Sequence, residues 1–247
     1  VFLDNASGGM NAVLRSLGWL PGDILLMIGS VYAVFPNTAA WLQRRYGIRV
    51  LSVPIEYPVK GPRDYIGPVR DFLRSLAGQE LARVRLVLFD HISSYPSVLL
   101  PVVDLASLIK SETNNTALVF VDGAHALGQI RINMTLLQSA GVDFYVMDGH
   151  KWLMSPHGSA LLWVTPQMQG LIEPDVISSD NSLNTPFQER FDYIGTRDYG
   201  PWCTMGDTID FRARELGGEE RIVSYLHDLA CWAADKLVKL WQTEAVA

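Results

Sequence analysis

The chain has 247 residues, of which 49% are hydrophobic and 19% charged, with a net charge of −6 and a mean hydropathy of +0.14. This composition excludes a disordered chain, supplies enough apolar surface for one large core, and argues against nucleic acid or an anionic membrane as a partner. The longest apolar stretch, residues 24–35, is too short to cross a bilayer, and two cysteines, Cys203 and Cys231, read as free thiols in a reducing, cytoplasmic setting rather than as a disulfide framework.

In chain order, residues 11–20 read as a helix and Ile24–Ile28 as a buried strand. Residues 38–46 have helical spacing, Arg49–Val53 is a second strand, and residues 64–81 form a helix. Residues 84–89 are a strand, 105–109 helical, and 117–121 a very apolar strand that runs into Asp122. Residues 144–147 are another strand, ending near His150 and Lys151, and Ala160–Val164 reads as an antiparallel or edge strand. Residues 173–197 lack periodicity and read as a long loop. From Glu215 onward the pattern is one amphipathic helix, with Ile222, Leu226, Leu229, Trp232, Ala233, Leu237 and Leu240 along one side. Val-, Leu- and Ile-rich strands separated by helices predict an α/β protein with a mainly parallel sheet covered on both faces. Ligands collect outside the carboxyl ends of such strands, where His91, Asp122, His125, His150 and Lys151 fall.

Lys151 follows an apolar strand in Asp148-Gly149-His150-Lys151-Trp152. A lysine in a desolvated site loses its proton readily and forms a Schiff base with an aldehyde, although a strand-end lysine can also simply point at water. Asp122 ends the most hydrophobic strand, where a carboxylate requires a cation or strong donors; a protonated pyridine nitrogen is one such partner, and a local turn cap is the alternative. His125 lies three residues on and can serve a ligand or the structure. Asn5-Ala6-Ser7-Gly8-Gly9 opens a helix and suits an anion as well as a plain N-cap. Tyr32 can stack on a planar ligand or join the core, and Thr196 and Arg197 can meet a phosphate or carboxylate or stay solvated. A zinc-type cluster of His91, Asp122, His125 and His150 is a further reading, one that leaves Lys151 without a role.

Three segments carry a resemblance when taken in order: Val121-Asp122-Gly123-Ala124-His125-Ala126-Leu127-Gly128, Gly149-His150-Lys151-Trp152-Leu153 and Gly195-Thr196-Arg197-Asp198, with support from Asn5-Ala6-Ser7 and Asp90-His91-Ile92-Ser93-Ser94. Together they resemble the class V aminotransferases on the type I fold of pyridoxal-phosphate (PLP) enzymes, in the branch of isopenicillin N epimerase-like proteins and hercynylcysteine sulfoxide lyases.

The resemblance implies a three-layer α/β/α major domain over residues 1–215, lacking its lead-in, and a connector helix over 216–247 toward a small C-terminal domain that is missing. It implies PLP held by Lys151 as a Schiff base, Asp122 on the pyridine nitrogen, His125 near the phenolic oxygen and acting with Lys151 in catalysis, and Tyr32 against the ring. Ala6 and Ser7 would bind the phosphate with His150 beside it, and Thr196 would reach the phosphate site of the partner in a homodimer. The implied activity is carbon–sulfur lysis, epimerisation or transamination of an amino acid; a degenerate homologue that only binds PLP or dimerises is the rival. No cysteine falls in a mobile catalytic loop, which counts against a persulfide-carrying desulfurase. Departures from the family pattern are Asp148 where Asn or Ser is usual, His157 where Lys is usual, and Ala33-Val34 after Tyr32.

Overall fold

A computed structural model describes residues 1–76, 78–179, 181–182 and 184–245. Ala77 in the predicted 64–81 helix, Asp180 and Leu183 in the predicted loop, and Val246 and Ala247 at the end of the predicted connector lie outside the described residues.

The elements run β1 (Phe2–Leu3), α1 (Ala6–Ser16), β2 (Ile24–Ile28), α2 (Val34–Tyr46), β3 (Arg49–Val53), α3 (Arg63–Ser75), α4 (Gly78–Leu81), β4 (Val84–Asp90), α5 (Val102–Glu112), β5 (Leu118–Asp122), α6 (Met134–Ser139), β6 (Phe144–Asp148), β7 (Ala160–Val164), α7 (Phe187–Asp192), α8 (Gly200–Cys203), α9 (Met205–Arg214) and α10 (Glu219–Trp241). Among the described residues they form one sheet in the order β1-β7-β6-β5-β4-β2-β3. The strands from β6 through β3 are parallel, whereas β7 runs antiparallel to both β6 and β1.

Strand periodicity divides the core into two layers. Leu25, Met27, Leu86, Leu88, Phe120, Phe144 and Val146 face α1 and α2. Their neighbours Leu26, Ile28, Val87, Phe89, Val121, Tyr145 and Met147 face α3, α5 and α6. The result is the predicted three-layer α/β/α arrangement with a mainly parallel sheet.

Several boundaries differ from the sequence reading. Helix α1 begins at Ala6, because the Asn5 side chain accepts the Gly8 N–H at 2.9 Å and caps it. Gly8 and Gly9 hide this start from propensity. At Gly9 a Cβ would lie 2.7 Å from both Leu3 and Val146, so the glycine lets α1 press against the sheet. The predicted 64–81 helix is two pieces, with α3 closing at Ser75. The predicted loop contains α7, and α8 and α9 precede the last helix. That helix starts at Glu219 rather than near Glu215, after Gly217 and Gly218 take positive φ values of 84° and 85°. Along α10 only Ile222 of the predicted apolar side is buried, and Leu229, Trp232, Leu237 and Leu240 are exposed. No helix among the described residues is long and apolar enough to cross a membrane.

Candidate active site

The carboxyl ends of β4, β5 and β6 and the amino end of α1 enclose a cavity of about 200 Å³. Lys151, in the turn after β6, reaches into it, and its Nζ lies 2.9 Å from Asp148 Oδ2 and 3.4 Å from His125 Nε2. Asp122 and His125 line the cavity from the end of β5. Ala6 and Ser7 do so from α1, His150 from the β6 turn and Tyr32 from the loop after β2. The sheet topology therefore gathers residues scattered over 145 positions of sequence at one edge, as open α/β sheets do.

The acids in this cavity are held under strain of charge. Asp122 is 4% exposed, and its Oδ1 accepts the Ala124 N–H at 2.9 Å. Burial raises its pKa, Ala124 and Lys151 oppose the rise, and Asp148 adds to it. Asp90, level with Asp122 across the parallel β4–β5 pair, is 2% exposed, and its Oδ1 has no hydrogen-bond partner. Its carboxyl is driven up by burial and then by Asp122, against the pull of Lys151. One of the two carboxyls therefore keeps its proton at neutral pH.

Two histidines near the cavity, His125 and His91, are shifted toward the neutral form. Burial and then the Lys151 charge depress His125. Its Nδ1 lies 3.4 Å from the Trp152 indole Nε1 and its Nε2 3.4 Å from Lys151 Nζ. His91 is turned away from the cavity. Its Nδ1 sits 2.6 Å from the Tyr145 hydroxyl, and burial lowers its pKa to about 4. The Tyr145 ring covers Gly123, where a Cβ would fall 2.3 Å from the ring edge. The zinc-type reading is not assembled: among the described residues no group of three or more His, Cys, Asp and Glu side chains could hold a metal ion.

Thr196 is exposed, 3.5 Å from the Tyr193 hydroxyl, and does not line this cavity. Arg197 is ion-paired with Asp4 and packs over Trp202 at 4.6 Å. His157 meets His150 edge-on and is itself exposed. Cys203 and Cys231 are exposed free thiols.

A family model described as aminotransferase class-V matches residues 1–247. The chain belongs to the class-V aminotransferase family. It is 30% identical over 251 residues to a putative L-cysteine desulfhydrase 2 of Oryza sativa subsp. japonica, covering 98% of this chain and 51% of the relative. It is 27% identical over 246 residues to hercynylcysteine sulfoxide lyase of Schizosaccharomyces pombe, covering 97% of this chain and 59% of that one. The apo cysteine desulfurase of Thermococcus onnurineus NA1 superposes with a TM-score of 0.76 at 24% identity, over 97% of this chain and 57% of that chain, and shares the fold. The class-V chain thus spans about half the length of the curated relatives it matches.

Two features of this class-V site were not foreseen. Asp90 carries no role in the sequence-based assignment, yet β4 and β5 both end in Asp with a histidine close behind. Arg212 is fully buried behind the site. It donates to the Gly128 carbonyl at 2.9 Å and the Trp152 carbonyl at 3.0 Å, and grips Glu219 through Nε at 2.6 Å and Nη2 at 2.7 Å. It fixes the turn that carries Lys151.

Proposed function

We propose that this chain forms the cofactor-holding part of a PLP enzyme that cleaves a carbon–sulfur bond in an amino-acid substrate. The observation that carries the reading is the convergence of the Lys151 amine and the buried Asp122 carboxyl on one cavity at the strand ends. The donor set suits the cofactor: an amine for its aldehyde, a buried acid for its pyridine nitrogen, and a helix amino terminus for its phosphate. In this reading Lys151 holds the aldehyde, Asp122 pairs with the ring nitrogen, His125 lies by the phenolic oxygen and Tyr32 covers the ring. Ala6 and Ser7 take the phosphate beside His150.

When bound, PLP withdraws the electron pair left as a bond at the substrate Cα breaks. With PLP bound, Lys151 would be the group placed to move the substrate Cα proton, with His125 Nε2 3.4 Å from its Nζ. The names of relatives, desulfhydrase and sulfoxide lyase, support carbon–sulfur lysis, and an isopenicillin N epimerase among them keeps epimerisation as the second activity. The exposed Thr196, outside its own chain's cavity, suits a homodimer in which it serves the partner's phosphate site. Two free thiols suit the cytoplasm. We read residues 1–215 as the major domain and 216–247 as a connector.

Asp122→Ala tests this assignment. The variant is expected to bind PLP about 10–100 times more weakly in a titration of visible absorbance, the value of a hydrogen bond to a charged group. Unchanged affinity would remove Asp122 from the cofactor site.

A second reading, a non-catalytic homologue that only binds PLP or dimerises, is favoured by one observation. The Asp148 carboxylate already engages both the Ala6 N–H and Lys151.

A further inference from the structure

The amino terminus of α1 carries no acidic residue in its own first turn, so the positive end of the helix dipole has no local counter-charge. The counter-charge arrives from 142 residues away. Asp148 Oδ1 accepts the Ala6 N–H at 2.8 Å, while its Oδ2 lies 2.9 Å from Lys151 Nζ and His150 Nε2 stands 3.8 Å from Oδ1. Asp148 is 3% exposed, so it has no easy route to water. The same cavity holds the unpartnered, buried Oδ1 of Asp90, which marks its polar inventory as incomplete without a ligand.

We propose that Asp148 is a resident anion in the seat at the start of α1, and that it makes the site discriminate against the phosphate group of an incoming aldehyde. The proposal rests on the PLP reading above and deepens it by naming the residue that sets phosphate selectivity. A phosphate ester is largely dianionic at pH 8, and it competes with Asp148 for the Ala6 N–H. To admit it, the carboxylate gives up that N–H and stays close to a like charge, or breaks from Lys151 as it turns away. An aldehyde without phosphate meets neither obstacle at α1. Asparagine at this position would keep an acceptor for Ala6 and remove the negative charge.

The test compares PLP with pyridoxal on the wild type and Asp148→Asn at pH 8, with dissociation constants read from absorbance. Asp148→Asn also frees Lys151 from its ion pair, but that change acts on both aldehydes alike, so the ratio of the two constants isolates the phosphate. The preference for PLP over pyridoxal is expected to rise about tenfold or more in the variant, in line with removing one charge at contact range. An unchanged ratio overturns the proposal. If neither aldehyde binds either protein, the PLP reading fails by itself, and inorganic phosphate still decides the role of Asp148. Followed at the Ala6 amide by ¹⁵N NMR, Asp148→Asn is expected to respond at about tenfold lower phosphate than the wild type. Equal responses in the two proteins would overturn it.

Discussion

Arg212→Ala is expected to destabilise the fold by about 2–5 kcal/mol, the scale for leaving two interior carbonyls without donors. Arg212 has no exposed side-chain surface and satisfies three acceptors at once, the Gly128 carbonyl, the Trp152 carbonyl and the Glu219 carboxylate. Alanine leaves two interior carbonyls without donors and releases the start of α10 from the end of α9. The hydrogen bond from Arg212 and its charge hold the Glu219 carboxyl below the usual range, and Glu219 is half exposed, so most of the loss comes from the carbonyls. Gly128 takes φ +83°, and a Cβ there would fall 2.6 Å from the Leu153 backbone, so the two segments bridged by Arg212 are in direct contact. Lysine offers a point charge in place of a planar fork and is expected to restore only part of the stability. Urea midpoints would measure both variants, and a midpoint for Arg212→Ala equal to wild type would contradict this account.

Asp90→Asn is expected to stabilise the cofactor-free chain at pH 8 by on the order of 2 kcal/mol or more, and to have little effect near pH 3. Burial, then Asp122, raises the Asp90 carboxyl far above its ordinary value of 3.8. The folded chain therefore retains a proton that the unfolded chain releases. Stability is greatest below the unfolded value and falls as pH rises from there toward the folded value. Asp122 is shifted in the same direction and contributes a slope of the same sign. Asparagine cannot ionise, so the variant loses the share of the slope that belongs to Asp90. A pH series of unfolding midpoints would show the two curves meeting near pH 3 and separating steadily as pH rises from about 4 toward the folded value of about 9. Parallel curves would mean that Asp90 ionises normally in the folded chain.

The parallel strands were readable because burial on both faces demands near-continuous apolar residues, and β2, β4, β5 and β6 obey that demand. Asp122 and Lys151 stood out for the related reason that polar groups at the ends of such runs need partners. Local propensity could not show the Asn5 cap, because Gly8 and Gly9 weaken the helical signal and their use lies in close approach to Leu3 and Val146. At six residues, α7 is too short for periodicity to register. Arg212 lies in Asp210-Phe211-Arg212-Ala213-Arg214-Glu215, which reads as a solvated charged face; only its distant acceptors at Gly128 and Trp152 distinguish it. Asp148 was visible as an unusual acid. An acid beside a phosphate is unfavourable unless it is neutralised, and here it meets Lys151 and the Ala6 N–H.

In the PLP reading Lys151 is the residue that takes the aldehyde. The direct measurement is borohydride reduction of the purified chain with PLP, followed by peptide mass spectrometry beside a Lys151→Ala control. The account predicts one reduced pyridoxyl addition on the peptide that carries Lys151, absent from the control. An addition only on other lysines, or none on a folded wild-type chain saturated with PLP, would contradict it.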